Sequence, residues 1–415
     1  MRRDLASAWP WLLVALALAA RIGFALGSGI DPLSASDDAK AYHDVAVNVV
    51  SGHGFVTTLD PPHRLDVAYA TRPPLTPLTL ALGYAVFGPK VVIAQLVLAL
   101  VGAFGVLGVY LLARELFSAS VAGVSGLLAA LHPFFLFLAA VPLTETLAIT
   151  LYTWIALALL RLRASPTPAR AIVAGVLLGL ASLNRPQLLG FVPFVIVWAW
   201  LALDTDRRRA LGTALLVLLA WGLCLAPWTA RNYGLFHRVI PVSLQAGSTL
   251  YQGNNPYAEV PLRRLREGAR GWYNDPRWGE PIEGLAPLEA DRRALRLALD
   301  YIRAHPGAFV SYAAQKEAIF WSAYDHPVHR LSWYAVAALG VTGLVLTRRR
   351  WRDLLGVHLL IVETALVAMV FTSMPRFRAP VEPFLLVLAA VTVVQLWPWP
   401  APAWWPAERL RCASS

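Results

Sequence analysis

Apolar residues gather in long unbroken blocks separated by short polar breaks along most of the 415-residue chain. Blocks at roughly 9–29, 91–112, 119–140, 144–161, 170–184, 187–203, 210–230, 331–346, 354–372 and 380–397 read as bilayer-crossing helices, since a span takes about 17–25 apolar residues. The pattern predicts an all-α polytopic membrane protein with about ten transmembrane helices. Two intervals, 31–90 and 231–330, are too long and too polar to be turns. The stretch Pro74 to Gly88 is apolar, but its ~15 residues would rise only about 22 Å against a hydrocarbon core of about 30 Å. It is expected as an interfacial helix inside the first interval. The second interval is expected to be partly helical, with an Arg-rich amphipathic helix at 286–304 and another at 307–321.

Basic clusters next to spans stay cytoplasmic. Ten spans with both termini inside put Arg2-Arg3, Arg114, Arg161 to Arg170, Arg207 to Arg209, Arg348 to Arg350 with Arg352, and Arg409 with Arg411 on that side. The expected layout is a first span in 1–30 and an extracytoplasmic loop in 31–90. Spans two to seven fill 91–230, and a large extracytoplasmic loop fills 231–330. The last three spans lie in 331–397, before a cytoplasmic Trp/Pro-rich tail in 398–415. Arg2-Arg3 followed by Trp11 to Ala20 resembles a signal peptide, but the apolar run continues to Ile30, so an uncleaved span is expected. Arg21 lies past the middle of that span and reads as snorkelling to the surface.

Composition agrees. The hydrophobic set makes up 57% of the chain and charged residues 15%, against about 25% charged in a soluble domain. The net charge of +11 is nearly all Arg, because Lys occurs only at 40, 90 and 316. Since much of it sits beside spans, a membrane accounts for the charge and no nucleic-acid partner is expected. Cys224 lies in a span and Cys412 in the tail, so no disulfide follows.

Chemistry concentrates on the outer face. Ser36 or Asp37 can cap a helix running to about Val50, on which Asp38, Tyr42 and Ala46 share a face. Gly52 and Gly54 stop that helix. The macrodipole alone also accounts for two aspartates in a first turn; a carboxylate just outside a span equally suits a general base. Arg72, in Thr71-Arg-Pro-Pro, sits where a guanidinium can grip a phosphate or simply anchor at the interface. Glu145 opens an apolar span, where a carboxylate costs a few kcal/mol unless paired or hydrated. Arg185, Arg231, Arg376 and Arg378 occupy the same face. Short outer loops are ordinarily poor in Arg, so these arginines beside Asp37, Asp38 and Glu145 point to an anionic ligand at the outer membrane surface. His43, His53 and His63, and the pair His326 and His329, lack zinc-site spacing, so no metal ligands are assigned, although a divalent metal stays open. No phosphate-cradling Gly loop, dinucleotide fingerprint or nucleophile elbow occurs, so ATP-driven transport and α/β-hydrolase chemistry have no support.

The motifs, in order, resemble the GT-C superfamily of integral-membrane glycosyltransferases, in particular the branch of protein O-mannosyltransferases and aminoarabinose transferase. They are Asp38 with Tyr42, Gly52 to Phe55, Arg72 to Pro77, Leu143 to Glu145, Asn184 to Pro186, Pro227 to Tyr233, Gly253 to Pro256 with Asn254, and Arg376 to Pro380. The resemblance covers about residues 10 to 395. It implies a bacterial inner-membrane enzyme facing the periplasm or exterior. Such an enzyme moves a sugar, with inversion, from a polyprenyl-phosphate donor to a lipid, glycan or protein acceptor. It carries the base onto Asp38, the second carboxylate onto Glu145 and a phosphate contact onto Arg72, with Arg231 and Arg376 as further phosphate partners. Adjacent Asp37 is separated from Asp38 only by the spacing to Tyr42. The residue after Asp38 is Ala rather than a second carboxylate. No cofactor beyond the donor lipid is implied; membrane lipids are the other expected partner. The rival reading is a transporter or flippase of an anionic amphiphile, with the same arginines lining a pathway; it would call for repeats and midplane charges, neither evident in the sequence.

Overall fold

Helix starts follow the capping chemistry of the sequence. Ser36, Ser118, Thr167 and Asp206 are N-caps whose side chains accept from a backbone N–H one turn into the helix. The structure, a computed structural model, describes residues 2–59, 70–258, 276–324 and 326–397. His63, Arg409, Arg411, Cys412 and the Trp/Pro-rich tail lie outside the described residues.

The described residues form sixteen α-helices and no strand. The first half holds α1 (Arg2–Gly27), α2 (Asp37–Val50), α3 (Leu75–Phe87), α4 (Val91–Leu116), α5 (Ala119–Leu131), α6 (Pro133–Ala140), α7 (Glu145–Ala164) and α8 (Pro168–Asn184). The second half holds α9 (Val192–Ala202), α10 (Arg207–Phe236), α11 (Ala246–Gly253), α12 (Pro287–Ala304), α13 (Pro306–Phe320), α14 (Pro327–Leu346), α15 (Leu355–Val370) and α16 (Glu382–Leu396). The chain is an all-α polytopic membrane protein. Each of the ten apolar blocks is helical, but length and hydropathy divide them. Five stretches are long and apolar enough to cross a bilayer: Ala8–Gly27, Val91–Leu116, Glu145–Ala164, Arg207–Phe236 and Pro375–Leu396. The bent pair α5–α6 makes a sixth if it is one span. Leu75–Phe87, Pro168–Asn184, Pro186–Ala202 and Leu355–Val370 are shorter apolar helices of 10–17 residues.

The α5–α6 bend, 48° at His132-Pro133, has a covalent cause. Pro133 lacks the N–H that would bond the Ala129 carbonyl. Arg21 of α1 replaces it: Nη2 donates to Ala129 O at 3.2 Å, and Nη1 donates to Ala130 O at 3.2 Å and Ala17 O at 3.1 Å. Arg21 is 2% exposed, which overturns the snorkelling reading. Its side chain runs inward because broken-helix carbonyls offer it acceptors that lipid does not.

The main apolar core lies among α7, α8, α9, α10 and α15; a second fills the space between α1, α4, α5, α6 and α16. Gly175 and Gly179 let α8 lie against α10. A Cβ at Gly175 would sit 2.3 Å from Val217 O, and one at Gly179 2.5 Å from Cys224 Cβ. Small residues four apart are the usual means of bringing two membrane helices into backbone contact. Ala46, Leu80, Tyr84, Leu98 and Leu147 hold α2 and α3 against α4 and the start of α7. This packing brings the first turn of α2 to the head of α7.

Candidate active site

Asp37 and Asp38 share a helix N-terminus but part company in direction. Ser36 Oγ accepts from Asp38 N at 3.2 Å, fixing the first turn. Consecutive helix residues diverge by about 100°. The Asp37 side chain is 95% exposed and pairs with Lys40 at 3.1 Å. Asp38 turns inward. Its Oδ1 accepts from Arg72 Nη1 at 2.5 Å and its Oδ2 from Arg376 Nη2 at 2.5 Å, one guanidinium on each oxygen. Burial would raise the Asp38 pKa, but Arg376 and Arg72 outweigh it and hold the carboxyl down to about 2.

Four segments deliver the rest. Arg72 precedes the Pro73-Pro74 entry to α3 and lies 5.8 Å over the ring of Tyr42, one turn on from Asp38. Burial raises the Tyr42 phenol above its ordinary value, against the pull of Arg72. Glu145 opens α7 and is 2% exposed. Its Oε1 lies 3.8 Å from Arg185 Nη1 and 3.7 Å from Arg376 Nε. Those two N–H groups are buried and make no hydrogen bond. Arg185 owes its place to Asn184, whose side chain accepts from Thr76 Oγ1 at 2.7 Å and donates to Thr144 O at 2.9 Å. This staple ties the starts of α3 and α7 to the end of α8. Arg376 comes from a 3₁₀ turn, Pro375–Val381, whose Phe377 ring faces Arg185 at 5.3 Å and Arg376 at 5.6 Å.

The cluster thus holds two carboxylates, Asp38 and Glu145, and three guanidinium groups, Arg72, Arg185 and Arg376. Two negative and three positive charges leave an excess of one positive charge, suited to an anion. Among the described residues no three His, Cys, Asp or Glu side chains group as a metal site.

Other sequence candidates have other partners. Arg231 stacks on Trp228 at 4.5 Å and Phe55 at 5.5 Å, and donates to Asn232 Oδ1 at 2.9 Å. Arg378 pairs with Glu382 at 2.9 Å, lies 3.4 Å over Trp333 and donates to the carbonyls of Phe320 and Ser322. Asn254 donates to Leu250 O and Val370 O, both at 2.9 Å, binding the second loop to the end of α15. Sequence reasoning missed the Asn184 staple and the Phe377 platform, although both lie inside motifs it singled out. It also missed Lys316, whose only signal was the scarcity of lysine.

Residues 71–230 match the family model described as dolichyl-phosphate-mannose-protein mannosyltransferase. The fold itself is matched by the solved oligosaccharyltransferase of Archaeoglobus fulgidus. In the form tethered with an acceptor peptide containing the NVT sequon, the TM-score is 0.57 at 14% identity, over 94% of this chain and 50% of that one. This likeness, at 14% identity, is one of fold. The oligosaccharyltransferase AglB from Archaeoglobus fulgidus in complex with an inhibitory peptide and a dolichol-phosphate gives a TM-score of 0.52 at 14% identity, over 94% of this chain and 51% of that one. The chain therefore spans about half the length of those structures. ArnT from Cupriavidus metallidurans bound to undecaprenyl phosphate matches at 16% identity over 94% of this chain and 78% of that one, with a TM-score of 0.42, too loose to weigh. No curated protein matches the sequence. The family match takes in Arg72, Glu145 and Arg185, while Asp38 and Arg376 fall outside its bounds.

Proposed function

We propose that the chain is a membrane glycosyltransferase that takes a sugar from a polyprenyl-phosphate donor and transfers it to a lipid, glycan or protein acceptor. The observation that carries this is Asp38 held between Arg72 and Arg376, with Glu145 and Arg185 beside Arg376. The family description of residues 71–230 and the dolichol-phosphate bound by the archaeal relative support a polyprenyl-phosphate donor. The positive-inside distribution of the basic clusters supports a site on the extracytoplasmic side of the membrane.

The chemistry needs charge to move. Arg72 and Arg376 each donate to Asp38, which makes it a poor base. A donor phosphate arriving between the guanidinium groups competes for the same N–H donors. As they turn to it, the Asp38 carboxylate is released and its basicity rises. The acceptor's hydroxyl or amine then attacks the anomeric carbon and its proton passes to Asp38. The carbon–oxygen bond to phosphate breaks, and its electron pair leaves with the lipid phosphate. Arg72, Arg376 and Arg185 stabilise the charge that accumulates there. A single displacement inverts the anomeric configuration. Tyr42 supports Arg72 from below; Glu145 keeps Arg185 and Arg376 in place.

The test is sugar transfer by purified protein in liposomes with labelled polyprenyl-phosphate sugars. Wild-type protein should transfer label, and Asp38→Asn should insert normally, bind donor lipid and transfer none. Transfer by Asp38→Asn at the wild-type rate removes Asp38 from the mechanism.

A further inference from the structure

Lys316, on α13, is fully buried, and among the described residues no carboxylate lies within ion-pair distance of it. Its Nζ donates instead to Val370 O at 3.0 Å and Phe371 O at 3.1 Å, with Gly253 O and Asn254 Oδ1 both at 3.4 Å. Val370 and Phe371 close α15, so these carbonyls belong to a helix C-terminus, which has no partner of its own for them and favours a cation. Asn254 adds its own bond to Val370 O. Gly253 permits the approach, because a Cβ there would fall 1.7 Å from Phe371 O. One ammonium thus ties α11 and α13 of the second loop to the end of α15. With no carboxylate opposing it, burial draws the Lys316 ammonium down to about 7.

The tied end leads straight to the site. Arg376 lies five residues beyond Phe371, a reach of at most about 18 Å. Between them Thr372 and Ser373 have buried hydroxyl groups with no hydrogen-bond partner. Neither hydroxyl therefore anchors this segment by a hydrogen bond. It is held by the Lys316–Asn254 tie at one end, and by Arg376 on Asp38 and Arg378 on Glu382 at the other.

We infer that Lys316 is a positioning residue that acts through Arg376. It fixes where the Arg376 segment begins, so the second loop and the guanidinium that grips Asp38 move as one unit. The inference deepens the glycosyltransferase reading and rests on it for its catalytic meaning: a partner seated on the second loop would be felt at the donor phosphate.

The test is a double-substitution cycle read as the Kd for polyprenyl phosphate in nanodiscs. Lys316→Met keeps the stem and removes the charged donor. It should weaken binding by roughly ten- to a hundredfold, the range of charge-assisted hydrogen bonds. In an Arg376→Gln background the same change should cost less than about twofold, since the residue it acts through is gone. An equal loss in both backgrounds overturns the inference and leaves Lys316 a general stabiliser. Hydrogen exchange across 371–376 reads the tie without any substrate: it should quicken in Lys316→Met, and unchanged exchange overturns the tie. Asn254→Ala removes the second strut and should shift both measurements in the same direction by less, even if Lys316→Met fails to accumulate. If wild-type protein neither binds polyprenyl phosphate nor transfers sugar, the glycosyltransferase reading falls, and the exchange measurement still decides the tie.

Discussion

Two neighbouring aspartates have opposite fates because a helix turns about 100° per residue. Asp37 faces solvent and Asp38 faces two arginines. Asp37→Asn should leave sugar transfer within about twofold of wild type, measured beside Asp38→Asn. The same pairing sets a pH dependence. Asp38 titrates near 2 in the folded chain and near 3.9 when unfolded. A depressed carboxylate pKa contributes stability that is present above about pH 4 and lost as pH falls through about 2. Melting temperature should therefore fall across that window, and Asp38→Asn should flatten the fall. Glu145→Gln presents another cost. It leaves the buried Arg185 and Arg376 facing a neutral amide, and should lower stability on the order of 1–3 kcal/mol, read from thermal melts in detergent. Much of this residue chemistry was legible as motifs, since the spacing from Asp38 to Tyr42, the arginine at 72 and the glutamate at 145 are all in the sequence. Direction was not legible. Arg376 and Arg378 look alike in sequence, yet one reaches Asp38 and the other Glu382, because alternate positions of a 3₁₀ turn point to different neighbours.

Local signals set most elements. Ser36 and the glycines after Ser51 bound α2, and proline opens α12 and α13 within a residue or so of the expected starts. The bend at Pro133 was hidden inside one apolar block, because hydropathy does not register a missing N–H. The short helix α11 was hidden as well, since its eight residues carry too little periodicity and are held by α12 through Ser248 and Asp291. The α8–α10 contact gives an element-scale prediction. Leucine at Gly175 would drive a side chain into the Val217 carbonyl, which belongs to the helix backbone and cannot swing aside. Gly175→Leu should cost at least about 3 kcal/mol, at the upper end of overpacking penalties, and show as lost yield of folded protein. Gly212→Leu, on an open face with nothing within 4 Å, is the control and should be neutral.

For the whole molecule, donor binding should appear as stability. A lipid that binds only the folded chain adds about 2.7 kcal/mol at a hundred times its Kd. Polyprenyl phosphate should raise the melting temperature accordingly, and a neutral polyprenol of equal length should not. Overall architecture was legible from apolar blocks, yet how the blocks associate was not, because association depends on glycines and buried polar groups that hydropathy averages away. Arg21 shows what that association demands in time. Its guanidinium is at home only once Ala129 and Ala130 are beside it, more than a hundred residues later in synthesis. Until then the first helix carries an arginine with no acceptor beyond its own turn, so it enters the bilayer as a provisional guest and settles only when the kinked pair arrives. Translation order and the final architecture are thereby linked through a single side chain.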